Sequence, residues 1–186
     1  MALTPSVMKE LQTPAPPFSL PDVVSGKIYT LDHFRLGPGL LVMFICNHCP
    51  YVRHVERELA NLALDFQEKE LGIVAISSNY VGTHPEDAPE KLKEQAERLG
   101  FTFPYLYDET QQVARAYNAV CTPDFFLYDA DLKLAYRGQL DGSRPGNSVP
   151  VTGKDLRFAI NAVLSGRMPP EDQRPSLGCN IKWKPR

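Results

Sequence analysis

The chain has few features that favour a charged or membrane partner. It holds one tryptophan, and its 20 Lys and Arg stand against 22 Asp and Glu for a formal net charge of -2. The cations are interspersed with acids, so no basic stripe is left to follow a phosphate backbone and nucleic acid is not an expected partner. The longest apolar run, residues 40–46, falls far short of the roughly 20 residues a membrane span needs, so no membrane partner is expected either. The opening Met1-Ala2-Leu3-Thr4-Pro5 has no charged start followed by an apolar core, so it does not read as a secretory leader, and the cytoplasm is the expected location. There are only four cysteines. In a reducing compartment these are read as catalytic or unlinked thiols rather than structural staples.

With 186 residues, 43% of them hydrophobic, the chain is long enough for one domain with a full core. Pro5, Pro14, Pro16 and Pro17 mark residues 1–16 as an extended arm, residues 17–166 read as the domain, and residues 167–186 form a tail carrying Cys179. Phe18-Ser19-Leu20 and Lys27-Ile28-Tyr29-Thr30 are expected to pair around Ser25-Gly26. The run Leu40-Leu41-Val42-Met43-Phe44-Ile45 reads as a buried strand. Val52, Val55, Leu59, Leu62 and Phe66 then recur at helical spacing, with Pro50 in the first turn, where a missing N–H costs nothing.

A second strand, Ile73-Val74-Ala75-Ile76, precedes a helix marked by Asp87 as cap, Pro89, the stripe Leu92, Ala96 and Leu99, and Gly100 as stop. Tyr105-Leu106-Tyr107 leads to a helix opening at Asp108, with Gln111 completing a capping box. Phe125-Phe126-Leu127-Tyr128 and Leu134-Ala135-Tyr136-Arg137 read as a hairpin. A last helix is capped by Thr152 and Asp155 and stops at Gly166. Crossover helices between apolar strands, closed by a hairpin and helix, predict an α/β sandwich of three layers around a mixed sheet.

Cys46 and Cys49, in Phe44-Ile45-Cys46-Asn47-His48-Cys49-Pro50, fall where the apolar strand ends and the amphipathic helix begins. Two thiols at this spacing can close a small disulfide, and the unpaired N–H groups of a helix start stabilise a thiolate. The pattern points to a dithiol that cycles between reduced and oxidised forms.

With this CxxC after the first core strand, Thr122-Pro123 before the hairpin and a terminal helix, the chain resembles the thioredoxin superfamily. The N-terminal hairpin, the long span from Cys49 to Thr122, residues 141–147 and 150–153, and the terminal Pro175-Ser176-Leu177-Gly178-Cys179-Asn180-Ile181-Lys182-Trp183 are similar to its peroxiredoxin-like, AhpC/TSA-type branch. The resemblance implies a thioredoxin-like α/β/α sandwich acting as a thiol-disulfide oxidoreductase without a cofactor. Cys46 would be the nucleophile and Cys49 the resolving thiol. Pro123 would be a cis-proline that turns the backbone of Thr122 toward the dithiol, where a substrate segment could add as a strand. Substrates would be protein or small-molecule disulfides, and a thioredoxin or glutathione system would return the electrons.

His48 stands where thioredoxin has proline, as in the more oxidising members. A cationic imidazole there would lower the Cys46 pKa and lift the potential above thioredoxin's, about -270 mV. Thioredoxin's buried acid on the strand before the CxxC has no counterpart between Asp32 and Glu56.

The alternative reading is peroxide reduction at Cys46, although Met43 stands where peroxiredoxins carry a threonine. Lesser alternatives are a zinc site from Cys46, Cys49, His48 and His54, copper binding, or a binding module with a vestigial dithiol; no metal is expected. Cys121 and Cys179 are either packed thiols or a second redox pair. Residues 141–153 form a binding loop or a covered edge, with Arg144 a solvated side chain or the partner of an acidic group. His33, His54 and His84 are read as surface or capping residues.

Overall fold

The computed structural model describes residues 3–185; Met1, Ala2 and Arg186, at the outer ends of the stretches read as arm and tail, lie outside the described residues. Along the chain come β1 (Leu3–Pro5), β2 (Ser19–Pro21), β3 (Ile28–Thr30), β4 (Gly39–Phe44), α1 (Pro50–Phe66), β5 (Gly72–Ser77) and α2 (Pro89–Leu99). Then follow β6 (Tyr105–Tyr107), α3 (Gln112–Tyr117), β7 (Cys121–Thr122), β8 (Asp124–Asp129), β9 (Leu134–Gly138), α4 (Lys154–Leu164) and β10 (Leu177–Asn180).

Every residue of β4 is buried because the strand is covered on both faces and paired on both edges. It runs parallel to β5 and antiparallel to β8, giving the order β6-β5-β4-β8-β9. Strand alternation splits its side chains between two cores. Leu41, Met43 and Ile45 pack with the apolar stripes of α1, α2 and α4. Leu40, Val42 and Phe44 pack with Phe18, Leu20, Leu31 and Tyr117. The mixed sheet with helices on both faces is the three-layer sandwich predicted. No helix among the described residues is long and apolar enough to cross a membrane.

Three helix starts differ from the sequence reading, although Asp108 still accepts the Ala114 N–H in the first turn of the helix it was expected to open. α2 is preceded by Ala88, while Asp87 lies in the turn before it and points elsewhere. α3 begins only at Gln112, since Gln111 is left-handed at φ 62° and its amide spans the carbonyls of Ser78 and Lys182 instead of closing a capping box. α4 follows Gly153 at φ 66°, and Asp141 rather than Thr152 or Asp155 receives the leading N–H groups, those of Thr152 and Gly153 at 2.7 and 2.6 Å.

The arm and the tail are joined in a second sheet of order β1-β10-β7, with Thr4 opposite Gly178 and Cys179 opposite Thr122. Beyond β10 the tail stays fixed: Ile181 N–H donates to Val120 O, Lys182 N–H to Asn79 Oδ1 and Lys184 N–H to Gln111 Oε1. Gly178 permits the approach, because a Cβ there would lie 1.9 Å from Thr122 O. The Gly178→Ala substitution therefore cannot be absorbed without moving β10. It should cost about 1–3 kcal/mol in urea unfolding and speed alkylation of Cys49, and an unchanged alkylation rate would show that β10 does not shield that thiol.

Candidate active site

The strand end and helix start fix the backbone of the CxxC turn, and buried polar side chains of the β5–α2 segment hold it in place. Asp87 Oδ1 accepts the N–H groups of Asn47 and His48 at 2.8 and 2.9 Å. Its Oδ2 accepts His48 Nδ1 at 2.5 Å and Asn79 Nδ2 at 2.9 Å. Gln95 donates to the Cys46 carbonyl at 3.2 Å and is itself held by the Tyr105 hydroxyl at 3.1 Å. Burial works against ionising Asp87, but the hydrogen bonds from His48 and Asn79 more than offset it and hold the carboxyl below its ordinary value.

All four cysteines are buried thiols. Cys46 Sγ lies 3.4 Å from Thr122 Oγ1, and Cys49 Sγ lies 3.4 Å from Thr122 O, at the cis Thr122–Pro123 bond. Cys179 is the register partner of the same Thr122, and its thiol is hydrogen-bonded to Cys49. Two sulfurs therefore converge on Thr122, and a third reaches one of them.

As a thiol, Cys49 has Thr122 O to donate to. As an anion it accepts from the thiols of Cys179 and Cys46 and from the N–H groups of Val52 and Cys179. The donors outnumber the acceptor, so despite burial Cys49 is held far below the ordinary thiol range. The Cys46 thiol is pushed up by burial, by its hydrogen bond to Cys49 and by the charge of Asp87. Burial and the charge of Asp124 push Cys121 up as well.

This reverses one sequence expectation. Hydrogen bonding favours the anion at Cys49 and burial disfavours it at Cys46, while His48 Nδ1 bonds Asp87 and a ring nitrogen of His48 lies within 4.8 Å of Cys46 Sγ. An ionised carboxylate only accepts, so His48 Nδ1 carries the shared proton, while its buried Nε2 has no partner among the described residues. Cys121 and Cys179 are not brought together, since Cys121 stands opposite Asn180 with its sulfur toward Pro123 O. The backbone edge at Thr122, expected to receive a substrate strand, is occupied by β10.

The remaining candidates are placed as follows. His54 Nε2 bonds Ser143 Oγ, His33 Nδ1 accepts from Thr30 N–H, and the His84 ring lies 4.4 Å from that of His48. Arg144 neither meets an acid nor stands free in solvent; it donates to the carbonyls of Asp141 and Ser143 in its own loop. Cys46, His48 and Asp87 bring one donor atom each to within 4.8 Å of one another. A carboxylate offers about four lone-pair positions, and the four hydrogen bonds to Asp87 use them, so this trio does not suit a metal ion.

The sequence reading missed Asp87, Asn79 and Gln95. Asp87 looked like a helix cap, and nothing in the periodicity distinguishes the two roles. Gln95 left a signal: it falls on the buried stripe of α2 between Leu92 and Ala96, where a polar side chain needs a partner.

The sequence matches the model of the AhpC/TSA family over residues 11–137. No curated protein matches it. Its fold is similar to that of an uncharacterized conserved protein from Geobacillus kaustophilus, at 53% identity and a TM-score of 0.98, covering 100% of this chain and 98% of that one. A hypothetical protein from Sinorhizobium meliloti is 47% identical with a TM-score of 0.96, over 98% of this chain and 100% of that one. A thiol:disulfide interchange protein of the thioredoxin family from Chlorobium tepidum shares the fold at a TM-score of 0.64 and 17% identity, over 84% of this chain and 99% of that one.

Two outcomes test this geometry. Cys49→Ser should abolish the ultraviolet thiolate absorbance at neutral pH while Cys46→Ser retains it; the opposite pattern would return the charge to Cys46. Asp87→Asn should cost about 3–5 kcal/mol near neutral pH. Because the folded pKa of Asp87 is depressed, its contribution is full above the ordinary 3.8 and is lost as pH falls through the folded value, so the variant should lack that part of the acid transition. Removing the charge should also move the alkylation profile of Cys46 to lower pH. A variant with wild-type acid unfolding and an unmoved Cys46 profile would rule out this role for Asp87.

Proposed function

The chain belongs to the AhpC/TSA family, and we propose that within it this protein is a thiol-disulfide oxidoreductase working through Cys46 and Cys49. The reading rests on one observation: the two sulfurs of the CxxC turn at the start of α1 face one residue, Cys46 Sγ 3.4 Å from Thr122 Oγ1 and Cys49 Sγ 3.4 Å from Thr122 O. The reduced pair shares one proton across the Cys46–Cys49 hydrogen bond, and with that proton on Cys49 the Cys46 thiolate attacks the substrate disulfide. One substrate sulfur leaves as a thiolate, and a mixed disulfide forms on Cys46. Cys49 then gives its proton to the leaving thiolate and attacks the Cys46 sulfur. The second substrate thiolate is expelled as Cys46–Cys49 closes.

The substrates in this reading are protein or small-molecule disulfides, and a cytoplasmic thioredoxin or glutathione system recycles the dithiol. Stabilising the Cys49 anion favours the reduced form, which supports a potential above about -270 mV. In this reading the hydrogen bonds to Cys49 supply that stabilisation.

Family membership supports a second reading, peroxide reduction, with Cys46 forming a sulfenic acid that Cys49 resolves. Thr122 Oγ1, 3.4 Å from Cys46 Sγ, supplies a hydroxyl where the sequence lacked one at position 43. A glutathione redox series with thiol trapping and mass-spectrometric mapping separates the two. A reversible Cys46–Cys49 bridge with a measurable potential is expected. No bridge at any poise, with Cys46 accumulating as sulfenic acid under peroxide, would replace exchange by peroxidase chemistry.

A further inference from the structure

We propose that Cys179 is a third redox thiol of this centre, accepting the disulfide from Cys46–Cys49 as a Cys49–Cys179 bridge that ties the tail strand to the CxxC turn. The inference builds on the exchange reading, which supplies the first disulfide.

Placement carries the argument. β10 is the middle strand of the second sheet, and its pairing with β7 sets Cys179 opposite Thr122. The carbonyl and hydroxyl of Thr122 each lie 3.4 Å from a sulfur of the CxxC pair. Cys179 is 1% exposed, its thiol and its N–H both reach Cys49, and the N–H of Tyr51 in the first turn of α1 reaches its sulfur. The neighbouring Gly178 allows an approach that a side chain would block, with a Cβ 1.9 Å from Thr122 O. A cysteine that only filled space would need neither this approach nor two hydrogen bonds to another thiol. Cys121 is the internal contrast: it is equally buried and one residue from Thr122, yet its sulfur is directed to Pro123 O.

The chemistry balances without a further reagent. A substrate disulfide has oxidised Cys46 and Cys49. Cys179 loses its proton and attacks the Cys49 sulfur, the Cys46–Cys49 bond breaks, and Cys46 leaves as a thiolate that takes up a proton. The two-electron oxidation moves from Cys46 to Cys179, and the total number of disulfides is unchanged. Cys46 is returned as a thiol while the tail becomes covalently anchored, so the redox state of the centre sets whether β10 can leave.

The test uses the full chain, oxidised in glutathione buffers, trapped and mapped without reduction, as wild type and as Cys46→Ser, Cys179→Ser and Cys121→Ser. In Cys46→Ser a Cys49–Cys179 peptide should dominate, and it should be lost when Cys179→Ser is added. Cys121→Ser should leave it unchanged. Wild type should show Cys46–Cys49 and Cys49–Cys179 together. A folded Cys46→Ser protein that yields only glutathione adducts of Cys49 would overturn the relay. If that variant does not fold, wild type decides. Cys46–Cys49 without any Cys49–Cys179 at every poise sinks the relay and leaves the exchange reading standing. Neither bridge in wild type sinks both.

Discussion

The backbone and hydroxyl of Thr122 are the fixed point of this protein. Its hydroxyl faces Cys46, its carbonyl faces Cys49, and its ladder position faces Cys179. Because β7 is only two residues long, Thr122 cannot hold that position alone. β10 supplies the missing support from one side, and the register of β8 with β4, which places Asp124 opposite Phe44, supplies it from the other. The second sheet, the tail pinned by Asn79 and Gln111, and the glycine at position 178 all serve to bring a strand against this point.

Charge in the site is separated along the same line. A buried Asp87 carboxylate and a buried Cys49 thiolate would be costly side by side. The structure puts Cys46 between their influences: Asp87 repels charge from Cys46, and the helix start with Cys179 attracts it to Cys49. Asp87 is in turn neutralised locally by four donors, two of them backbone N–H groups of the CxxC turn. The group that positions the turn therefore also adds to the burial and the Cys49 hydrogen bond that work against an anion on Cys46. His48 binds Asp87 and also lies within 4.8 Å of Cys46 Sγ, so it bears on the turn both through the carboxylate and directly.

The sandwich was legible because period-two and period-3.6 patterns are local. The run before Cys46 could only be a doubly covered strand, and the stripe from Val52 to Phe66 could only be one face of a helix. The location of the dithiol followed from that junction. Its electrostatics did not, because they depend on contacts 39 and 40 residues away in sequence, from Asp87 to His48 and Asn47. The short β1 and β10 were illegible for a related reason: three and four residues carry too little pattern to mark a strand, and their pairing partners lie at the opposite end of the chain. Cys121 was a plausible partner for Cys179 on sequence proximity to Thr122. Strand alternation places neighbouring residues on opposite faces, and that separates the two sulfurs.

A dithiol with no exposed surface constrains what can react with it. Cys46 and Cys49 are both fully buried, so a protein disulfide can reach them only after part of their cover moves, and β10, bonded to Cys49 through Cys179, belongs to that cover. Each ladder hydrogen bond contributes roughly 0.5–1.5 kcal/mol net, and the tail is held by bonds to β1, β7, Val120, Asn79 and Gln111 together. Complete opening therefore costs several kcal/mol and leaves a small open population, and in the exchange reading proposed above the rate would scale with that population. A partner that supplies its own strand to β7 as β10 departs replaces the lost ladder and lowers the cost; a partner without one gains nothing from the vacated edge. In the exchange reading proposed above, selectivity would come from the ability to substitute for the tail, because the strand paired with Thr122 would define the shape of what can reach the dithiol.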